Sequence, residues 1–304
     1  MNKKTDFGVV LGSKAPPNIV KEAAKICDDS TVKSFWIPET RGYGAFSMLG
    51  YLASNTKRLL LGSGIVNVYS RSPMTMGIEA KSLLELSDGR FILGIGASAP
   101  PIVEQWHGIK FERPVKKMIQ VTQILREIYG GQIYWAAVNK IMTRTAGRFA
   151  DGVIFFLKPL SITEKHIECS AVNDSSRTHI ISFVPTYISN DKSKAEYMAR
   201  ITIAAYVGGN AFYAKPLVEA GFGESVSKIR NAWASGDRTL AINSVPKELV
   251  NSITAVGTVD ECIKILGGYA SIGIHSVVAA FDVRRYLYNE EFLNNLRKFV
   301  DRLG

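Results

Sequence analysis

Four glycines lie where a flat ligand would meet the protein main chain. Gly62 and Gly64 belong to the segment LGSGIVNVYSRSP at positions 61–73, and Gly94 and Gly96 belong to GIGASA at positions 94–99. Each pair comes at the end of an apolar run that predicts a β-strand. Glycine at such a place lets a ring approach the backbone closely, and we favour this interpretation. The alternative is tight packing between strands, which also requires small residues.

Three other kinds of site are not favoured. GIGASA fits the glycine pattern of a dinucleotide-binding turn, but that pattern requires a helix directly afterwards and an acidic residue about 20 positions later on a second strand. Here Pro100 and Pro101 follow, and the next predicted strand begins only at Ile133. No Gly-Lys pair occurs, which excludes a Walker A loop. The four histidines lack metal-ligand spacing, so we expect surface or packed residues.

The elements that must position these residues alternate along the chain. The predicted strands cover residues 7–11, 34–37, 59–66, 91–95, 133–138, 152–156, 178–188 and 275–281, and stretches with helical spacing separate most of them. Such alternation predicts an α/β fold with a parallel sheet. Eight units close most simply into a (β/α)8 barrel of the TIM type, whose active face is formed by the carboxyl ends of the strands. A doubly wound sheet is the alternative.

Two departures from a regular barrel are expected within a single domain over residues 1–304. Residues 195–252 contain helical patterns and no strand pattern, which predicts a helical excursion between strands seven and eight. The connection before strand five is very short, since only residues 130–132 separate the preceding helix from the strand.

Composition limits the partners. The chain of 304 residues has a formal charge of +10 and a pI of about 9.4. A basic balance favours an anionic small molecule, or is only a general surface property. The basic residues are too scattered for a nucleic-acid arm, and no apolar run is long enough to span a membrane. Three widely spaced cysteines do not suggest disulfides, so we expect a reducing, cytoplasmic location.

Longer segments resemble a known family. RLLLGSGIVNVYSRSPMTMGIEAKSLLELSDGRFILGIGAS at 58–98 and TRTAGRFADGVIF at 143–155 resemble the bacterial luciferase-like superfamily. Within it, GIKFERPVKKMI at 108–119 and AVGTVDECIKIL at 255–266 are similar to the archaeal methylenetetrahydromethanopterin reductases of one-carbon metabolism, which use the deazaflavin coenzyme F420. The likeness runs over nearly the whole chain in the same motif order.

The resemblance implies an oxidoreductase that transfers hydride between coenzyme F420 and a small substrate, with a methylene-tetrahydropterin as the candidate. An FMN-dependent monooxygenase of the same superfamily and a cofactor-binding protein without turnover are the alternatives. The cofactor-binding residues implied are Ser63, Gly64, Ile65, Asn67, Gly96, Ala97, Ser98, Ala137, Val138, Asn139 and Lys140. No metal is implied. The resemblance also implies a homodimer that pairs through the first half of the barrel, and a non-proline cis peptide bond between Gly64 and Ile65.

Individual roles follow from the same resemblance. Asn67 would hydrogen-bond the polar edge of the ring, or would only form a turn. The helix start at 137–140 would hold the cofactor phosphate, because helix N-termini favour anions. Lys140 would add charge there, or would be an ordinary solvated lysine.

The acid–base residues of the resembling reductases are not retained. The glutamate of their first strand corresponds to Val10, and the segment after strand two has Glu39 and Thr40. Glu39 is the candidate catalytic proton donor, and a structural partner of Arg41 or of a nearby backbone group is the alternative. The short connection before strand five suggests an open pocket wall, unless the excursion or a partner subunit covers it. We therefore expect cofactor binding to be better retained than the reductase activity.

Overall fold

The strands of the protein match the predicted runs closely. The computed structural model describes residues 5–170, 178–281 and 287–303, without the side chains of residues 169 and 170. Over these ranges the strands are β1 (Asp6–Leu11), β2 (Ser34–Ile37), β3 (Leu60–Ser63), β4 (Val66–Asn67), β5 (Phe91–Gly96), β6 (Gln132–Ala136), β7 (Gly152–Phe156), β8 (His179–Ile188), β9 (Ala255–Gly257) and β10 (Ser276–Phe281).

The parallel sheet closes on itself. β10 pairs with β1 on one side and with β8 on the other, and the order between them is β1, β2, β3, β5, β6, β7 and β8. The predicted eight-stranded barrel of the TIM type is confirmed. The doubly wound alternative is wrong, because an open sheet would leave its two end strands unpaired with each other.

The third predicted strand is interrupted at its glycines. β3 ends at Ser63, β4 begins at Val66, and the peptide bond between Gly64 and Ile65 is cis. The expected position of the non-proline cis bond is therefore confirmed. β9 was not predicted, and it pairs only with the far end of β8.

Helices follow the barrel strands, as the alternating pattern predicts. They are α1 (Pro17–Asp28), α2 (Ala45–Ala53), α3 (Pro73–Leu86), α4 (Pro100–His107), α5 (Pro114–Ile128), α6 (Lys140–Phe149), α7 (Leu160–Ser170), α8 (Lys192–Gly209), α9 (Ala211–Glu219), α10 (Gly223–Ala234), α11 (Arg238–Asn243), α12 (Lys247–Ile253), α13 (Val259–Ala270) and α14 (Glu290–Asp301). The glycine pattern of GIGASA is followed by α4 after all, since proline is tolerated in a first helical turn. Barrel closure, and not the two prolines, excludes the dinucleotide-binding fold.

The helical excursion is confirmed between the seventh and eighth barrel strands. It consists of α8–α12 and has a core of its own, in which Ile203, Leu217, Ile229 and Leu249 are fully buried. Such a core explains why this segment shows helical periodicity without strands. No helix in the described part of the chain is long and apolar enough to cross a membrane.

The short connection before the fifth barrel strand is also confirmed, and it lies at the end of the barrel opposite the predicted site. α5 ends at Ile128 and β6 begins at Gln132. The hydroxyl of Tyr129 donates to the carbonyl of Phe91, the first residue of β5, at 2.8 Å. Helix-to-strand connections of a parallel barrel lie at the amino ends of the strands, whereas active sites lie at the carboxyl ends. The short connection therefore does not support the expectation of an open pocket wall, which stays a prediction.

Side chains of each strand alternate between two cores. In β10, Val278 and Ala280 lie in the barrel interior, whereas Val277 and Ala279 pack with the surrounding helices. The buried interior residues from the other strands are Val10, Trp36, Ile92, Tyr134, Ile154, Ile181 and Phe183. This alternation is the period of two expected of a strand, and it fills the barrel with large rings.

Those rings explain the glycines better than a ligand does. A Cβ added at Gly62 would lie 2.1 Å from Cε3 of Trp36, and one added at Gly64 would lie 2.6 Å from Cε2 of Phe183. At Gly94 the nearest atom would be a main-chain oxygen at 2.0 Å. The packing interpretation therefore accounts for these positions, although the sequence had favoured a bound ring.

We expect Gly62→Ala to lower the free energy of unfolding by about 1–3 kcal/mol, the usual cost of an extra methyl group in a filled core. Urea unfolding measures this change. Gly267→Ala is the matched control, because an added Cβ there meets no atom within 4 Å and lies in α13. It should leave stability unchanged or raise it, since alanine is the better helix former. A Gly62→Ala variant as stable as the wild type would contradict the packing explanation.

Candidate functional site

The predicted cofactor residues come together across three adjacent strand ends. β4 places Asn67 opposite Gly96 of β5. A carbon added to Gly96 would lie 2.7 Å from Cδ1 of Ile65 and 3.3 Å from Cβ of Ala136, the last residue of β6. The carboxyl ends of β4, β5 and β6 thus form one continuous surface, as the position of the motifs predicts.

Asn67 carries a free hydrogen-bond donor at this surface. Its Oδ1 accepts from the backbone N–H of Tyr69 at 3.0 Å, so the side chain does form a turn. Its Nδ2 is buried and has no hydrogen-bond partner in the described part of the chain. A buried polar group without a partner is uncommon and costs about 1–3 kcal/mol. The amide is therefore suited to donate to an acceptor that the chain itself does not supply.

Ser63 is engaged by the protein itself. It is fully buried, and its hydroxyl both donates to the carbonyl and accepts from the N–H of Gly94, each at 2.9 Å. The Ser63 side chain thus bridges β3 and β5, and the contact of Ser63 with a cofactor stays a prediction. Ala97 and Ser98 follow β5 and are half-buried, and Ser98 has a left-handed φ of 60°.

The main chain of Ala137 is fixed from two sides. Ala137 is buried, its N–H donates to the carbonyl of Ile154, and its own carbonyl accepts from Nζ of Lys158 at 3.1 Å. The segment that leaves β6 is therefore held against the end of β7 before α6 begins.

The start of α6 retains features of an anion site. Oδ1 of Asn139 accepts from the N–H of Met142 at 2.9 Å and so caps the helix. Val138 is half-buried, and Lys140 is the exposed first residue of the helix. N–H groups of the first turn and a lysine are the groups that favour a phosphate.

Glu39 is a structural anchor. Its two carboxylate oxygens accept from Nη1 and Nη2 of Arg71 at 2.9 and 3.0 Å, and Oε2 also accepts from the N–H of Ala45 at 3.3 Å. Arg41, the partner considered from the sequence, instead lies 3.7 Å from the ring centroid of Trp106. Because both oxygens are held by one guanidinium, the prediction of Glu39 as a proton donor loses its support in favour of the structural alternative.

The position that carries a glutamate in the resembling reductases is part of the core. Val10 is 5% exposed and belongs to the barrel interior. An apolar side chain there packs with the interior rings and offers no proton.

A buried lysine, which the sequence patterns did not predict, also lies at this end of the barrel. Lys158 follows β7 at the carboxyl face and is only 2% exposed. Its Nζ lies 3.0 Å from Nδ1 of His166, and Nε2 of His166 lies 3.9 Å from a carboxylate oxygen of Glu219 on α9. The signal in the sequence was a charged residue directly after an apolar strand, at the end where barrel enzymes place functional groups.

Aromatic rings of the excursion extend the barrel interior outward. Ile65 and Phe156 are half-buried and pack on the interior cluster from the carboxyl end. The ring of Phe156 lies 5.1 Å from that of Tyr206 and 6.0 Å from that of Tyr213, both edge-on. Burial raises the pKa of Tyr213 to about 12, so its phenol keeps its proton and is a neutral donor near neutral pH.

The excursion also contacts the opposite side of the carboxyl face. The Phe111 ring, between α4 and α5, lies 5.5 Å from the Tyr69 ring and 6.1 Å from the Phe212 ring of α9. This contact links the segment after β4 to the excursion. The excursion therefore reaches over the end of the barrel where the predicted cofactor residues lie.

A small cavity lies away from this surface. Its volume is about 110 Å³, and it is bounded by the ends of β8 and β10 and by α8 and α14. Ligand pockets for drug-sized molecules are usually about 300–1,000 Å³, so this cavity does not suit a three-ring cofactor. No group of three or more potential metal ligands exists among the residues that the structure describes, and His166 is packed, as expected.

We expect Glu39→Gln and Arg71→Met each to lower the free energy of unfolding, because each leaves a largely buried partner. The double variant should lose less unfolding free energy than the two single variants lose together. A double-mutant cycle by urea unfolding should give an interaction energy of about 0.5–3 kcal/mol. The exposed pair Glu224 and Lys228 is the control and should show much weaker coupling. Strictly additive effects of the two substitutions would contradict the anchor role of Glu39.

Comparisons with known proteins agree with this geometry. The sequence profile of a family described as luciferase-like monooxygenase matches residues 4–135 and 130–276. The chain is similar to a 5,10-methylenetetrahydromethanopterin reductase from Archaeoglobus fulgidus, with 27% identity over 293 residues that cover 84% of this chain and 87% of the relative.

Solved structures share the fold. A coenzyme F420-dependent tetrahydromethanopterin reductase from Methanopyrus kandleri superposes with a TM-score of 0.82 at 20% identity, over 99% of both chains. An F420-dependent secondary alcohol dehydrogenase, solved with an F420–acetone adduct, superposes with a TM-score of 0.74 at 14% identity, over 99% of this chain and 100% of that one. The eight-stranded barrel and the extent of the profile match together show that the chain belongs to the luciferase-like monooxygenase family.

Proposed function

We propose that the protein is a coenzyme F420-dependent oxidoreductase that transfers hydride between the deazaflavin and a small substrate. A methylene-tetrahydropterin is the candidate substrate, because the curated relative is a reductase of that class. The observation that carries the proposal is the buried, unpartnered Nδ2 of Asn67 at the end of β4, opposite Gly96 of β5. A carbonyl oxygen at the edge of a deazaflavin ring could accept the hydrogen bond for which this N–H group has no partner.

The remaining residues would act by position and charge. Ile65, Gly96, Ala97 and Ser98 would form the surface under the ring. Val138, Asn139 and Lys140, at the start of α6, would hold the phosphate, with Ala137 fixing the segment behind them. The bound deazaflavin would supply the hydride chemistry, and the protein would supply orientation and electrostatics.

FMN is the second candidate cofactor, because the matching family is described by its monooxygenases. The ring edge of FMN offers acceptors as well, so the Asn67 amide suits either ring. The +10 charge favours coenzyme F420, whose tail carries a phosphate and several carboxylates. Binding without turnover is the third possibility, and it predicts that reduced cofactor is not consumed when candidate substrates are added.

The experiment titrates the protein separately with coenzyme F420 and with FMN and follows quenching of cofactor fluorescence. We expect saturable quenching by the wild type with coenzyme F420. Asn67→Asp keeps an oxygen for the turn with Tyr69 and replaces the free donor by an acceptor. It should weaken cofactor binding about tenfold or more, since the loss of one hydrogen bond in a buried site is worth at least about 1.4 kcal/mol. Tighter binding of FMN than of coenzyme F420 would move the assignment to FMN.

The same titration can overturn the proposal. If neither cofactor binds, the proposed function is wrong. If both bind and Asn67→Asp binds as tightly as the wild type, the amide does not contact the cofactor. Asn294→Asp is the matched control, because it makes the same change at an exposed position of α14 and keeps the oxygen that accepts from Arg297, so it should bind the cofactor as tightly as the wild type.

We further propose that the protein is a homodimer. α3 exposes the large apolar residues Met74, Ile78 and Leu86, each more than half exposed, and Tyr51 of the neighbouring α2 is also exposed. Contiguous exposed apolar side chains mark interaction surfaces, and α3 lies in the first half of the barrel, where the resemblance implies pairing.

Light scattering at micromolar concentration should give about twice the chain mass of 33.4 kDa. Ile78→Lys should produce a monomer, because a charge cannot be buried in an apolar interface without a partner. Leu240→Lys, on the exposed side of α11, should leave the dimer intact. A wild-type mass of one chain would exclude the dimer.

A further inference from the structure

Lys158 presents a buried amine, and no carboxylate among the residues that the structure describes is in contact with it. Its Nζ donates to the carbonyl of Ala137 at 3.1 Å, meets Nδ1 of His166 at 3.0 Å, and lies 4.0 Å from the ring centroid of Phe155. All three partners are neutral. A buried ammonium is costly unless an anion compensates it, so its presence at the carboxyl face requires a reason.

The charged groups around it do not cancel the charge. Among the described residues they are His166 on α7, Glu219 on α9 and Lys140 on α6. Burial and the two lysines lower the pKa of His166 to about 4, so this imidazole is neutral near pH 7. Nδ1 of His166 lies 3.0 Å from Nζ of Lys158, and Nε2 lies 3.9 Å from a carboxylate oxygen of Glu219. The side chain of Glu219 is half exposed, and the imidazole of His166 lies between it and Lys158.

We propose that Lys158 is a positioning residue for the phosphate of the cofactor. This inference rests on the proposed function. Lys158 fixes the carbonyl of Ala137, and that residue leads directly into the segment 137–140 at the start of α6. The ammonium is 2% exposed, so it acts on the phosphate through the main chain and through its field, and not by contact. A bound phosphate would supply the anion that an ammonium at this position lacks.

The direction of the proton linkage follows from the same arrangement. Burial lowers the pKa of Lys158 well below its ordinary value in the free protein, and Glu219 opposes this only in part. An anion at 137–140 favours the ammonium and raises the pKa again. Phosphate binding is strongest at a pH below the pKa that Lys158 has in the free protein. It weakens as the pH rises from this value to the pKa of Lys158 in the complex. Within that pH interval, binding is accompanied by uptake of a proton.

The test compares two ligands that share one ring. Coenzyme F420 carries the phosphate-bearing tail, and its ring–ribityl fragment lacks the phosphate and the tail. Ionisation of the ring affects both ligands alike and cancels in the ratio of their dissociation constants. Fluorescence titration gives both constants for the wild type, for Lys158→Met and for Lys165→Met. Lys165 is exposed on α7, so its variant removes one charge of the same sign without touching Ala137.

For Lys158→Met we expect coenzyme F420 to bind roughly tenfold more weakly or worse, which corresponds to about 1.4 kcal/mol of binding free energy. The fragment should bind within about twofold of the wild type, and Lys165→Met should resemble the wild type with both ligands. Methionine is apolar and of similar length, and an apolar replacement of a buried charge is often tolerated. Circular dichroism establishes that the variant is folded.

A second arm uses only the wild type. The ratio of the two dissociation constants is measured from about pH 6 to about pH 10, below the ordinary pKa of lysine. The preference for coenzyme F420 should fall as the pH rises, and calorimetry in two buffers should show proton uptake with coenzyme F420 in excess of that with the fragment. This arm decides the matter if Lys158→Met does not fold.

Several outcomes would overturn the inference while leaving the proposed function intact. The first is that Lys158→Met binds both ligands more weakly by the same factor, which would indicate a merely structural role. The second is that Lys158→Met binds coenzyme F420 as tightly as the wild type. The third is that the ratio of the two dissociation constants of the wild type does not depend on pH. Failure of the wild type to bind coenzyme F420 or FMN would remove the proposed function and this inference together.

Discussion

The pairing of β10 with both β1 and β8 is the constraint on which the rest of the structure depends. Closure gives every barrel strand two neighbours and brings all carboxyl ends to one face. It also creates an interior that side chains must fill to the density of a solid core. The chain fills it with Trp36, Tyr134 and Phe183, and the glycines of β3 and β5 leave room for these rings and for the crossing main chain.

The same packing shapes the candidate site. At the carboxyl end, the interior continues into Ile65 and Phe156, and the rings of Tyr206 and Tyr213 pack on Phe156 from the excursion. The site surface is therefore the outer layer of the barrel core. Residues near it are positioned by core packing, which is the most reliable way for a fold to hold a binding surface rigid.

Two ionisable side chains near this surface, the half-buried Glu39 and the buried Lys158, differ in their partners. Glu39 has both oxygens on Arg71 and needs nothing from a ligand. The hydrogen-bond partners of Lys158 among the described residues are neutral, a carbonyl and an imidazole. Residue type alone would suggest Glu39 as the reactive group, because carboxylates are common acids. The contacts reverse this ranking, since a charge without a counter-charge is the one that an anionic ligand can stabilise.

Periodicity and glycine spacing in the sequence determined the barrel, its eight strands and the helical excursion, because each depends on local patterns of apolar residues. The resemblance to the luciferase-like superfamily also located the cis peptide bond and the neighbouring positions of Asn67 and Gly96. Contacts between residues far apart in the sequence were decided only by the tertiary structure, because local patterns do not contain them. Only barrel closure shows that Trp36 occupies the space beside Gly62, and only folding brings Arg71 to Glu39, across 32 positions of the chain. Lys158 becomes buried beside Ala137, 21 positions earlier, for the same reason: which charges are compensated depends on contacts between distant segments.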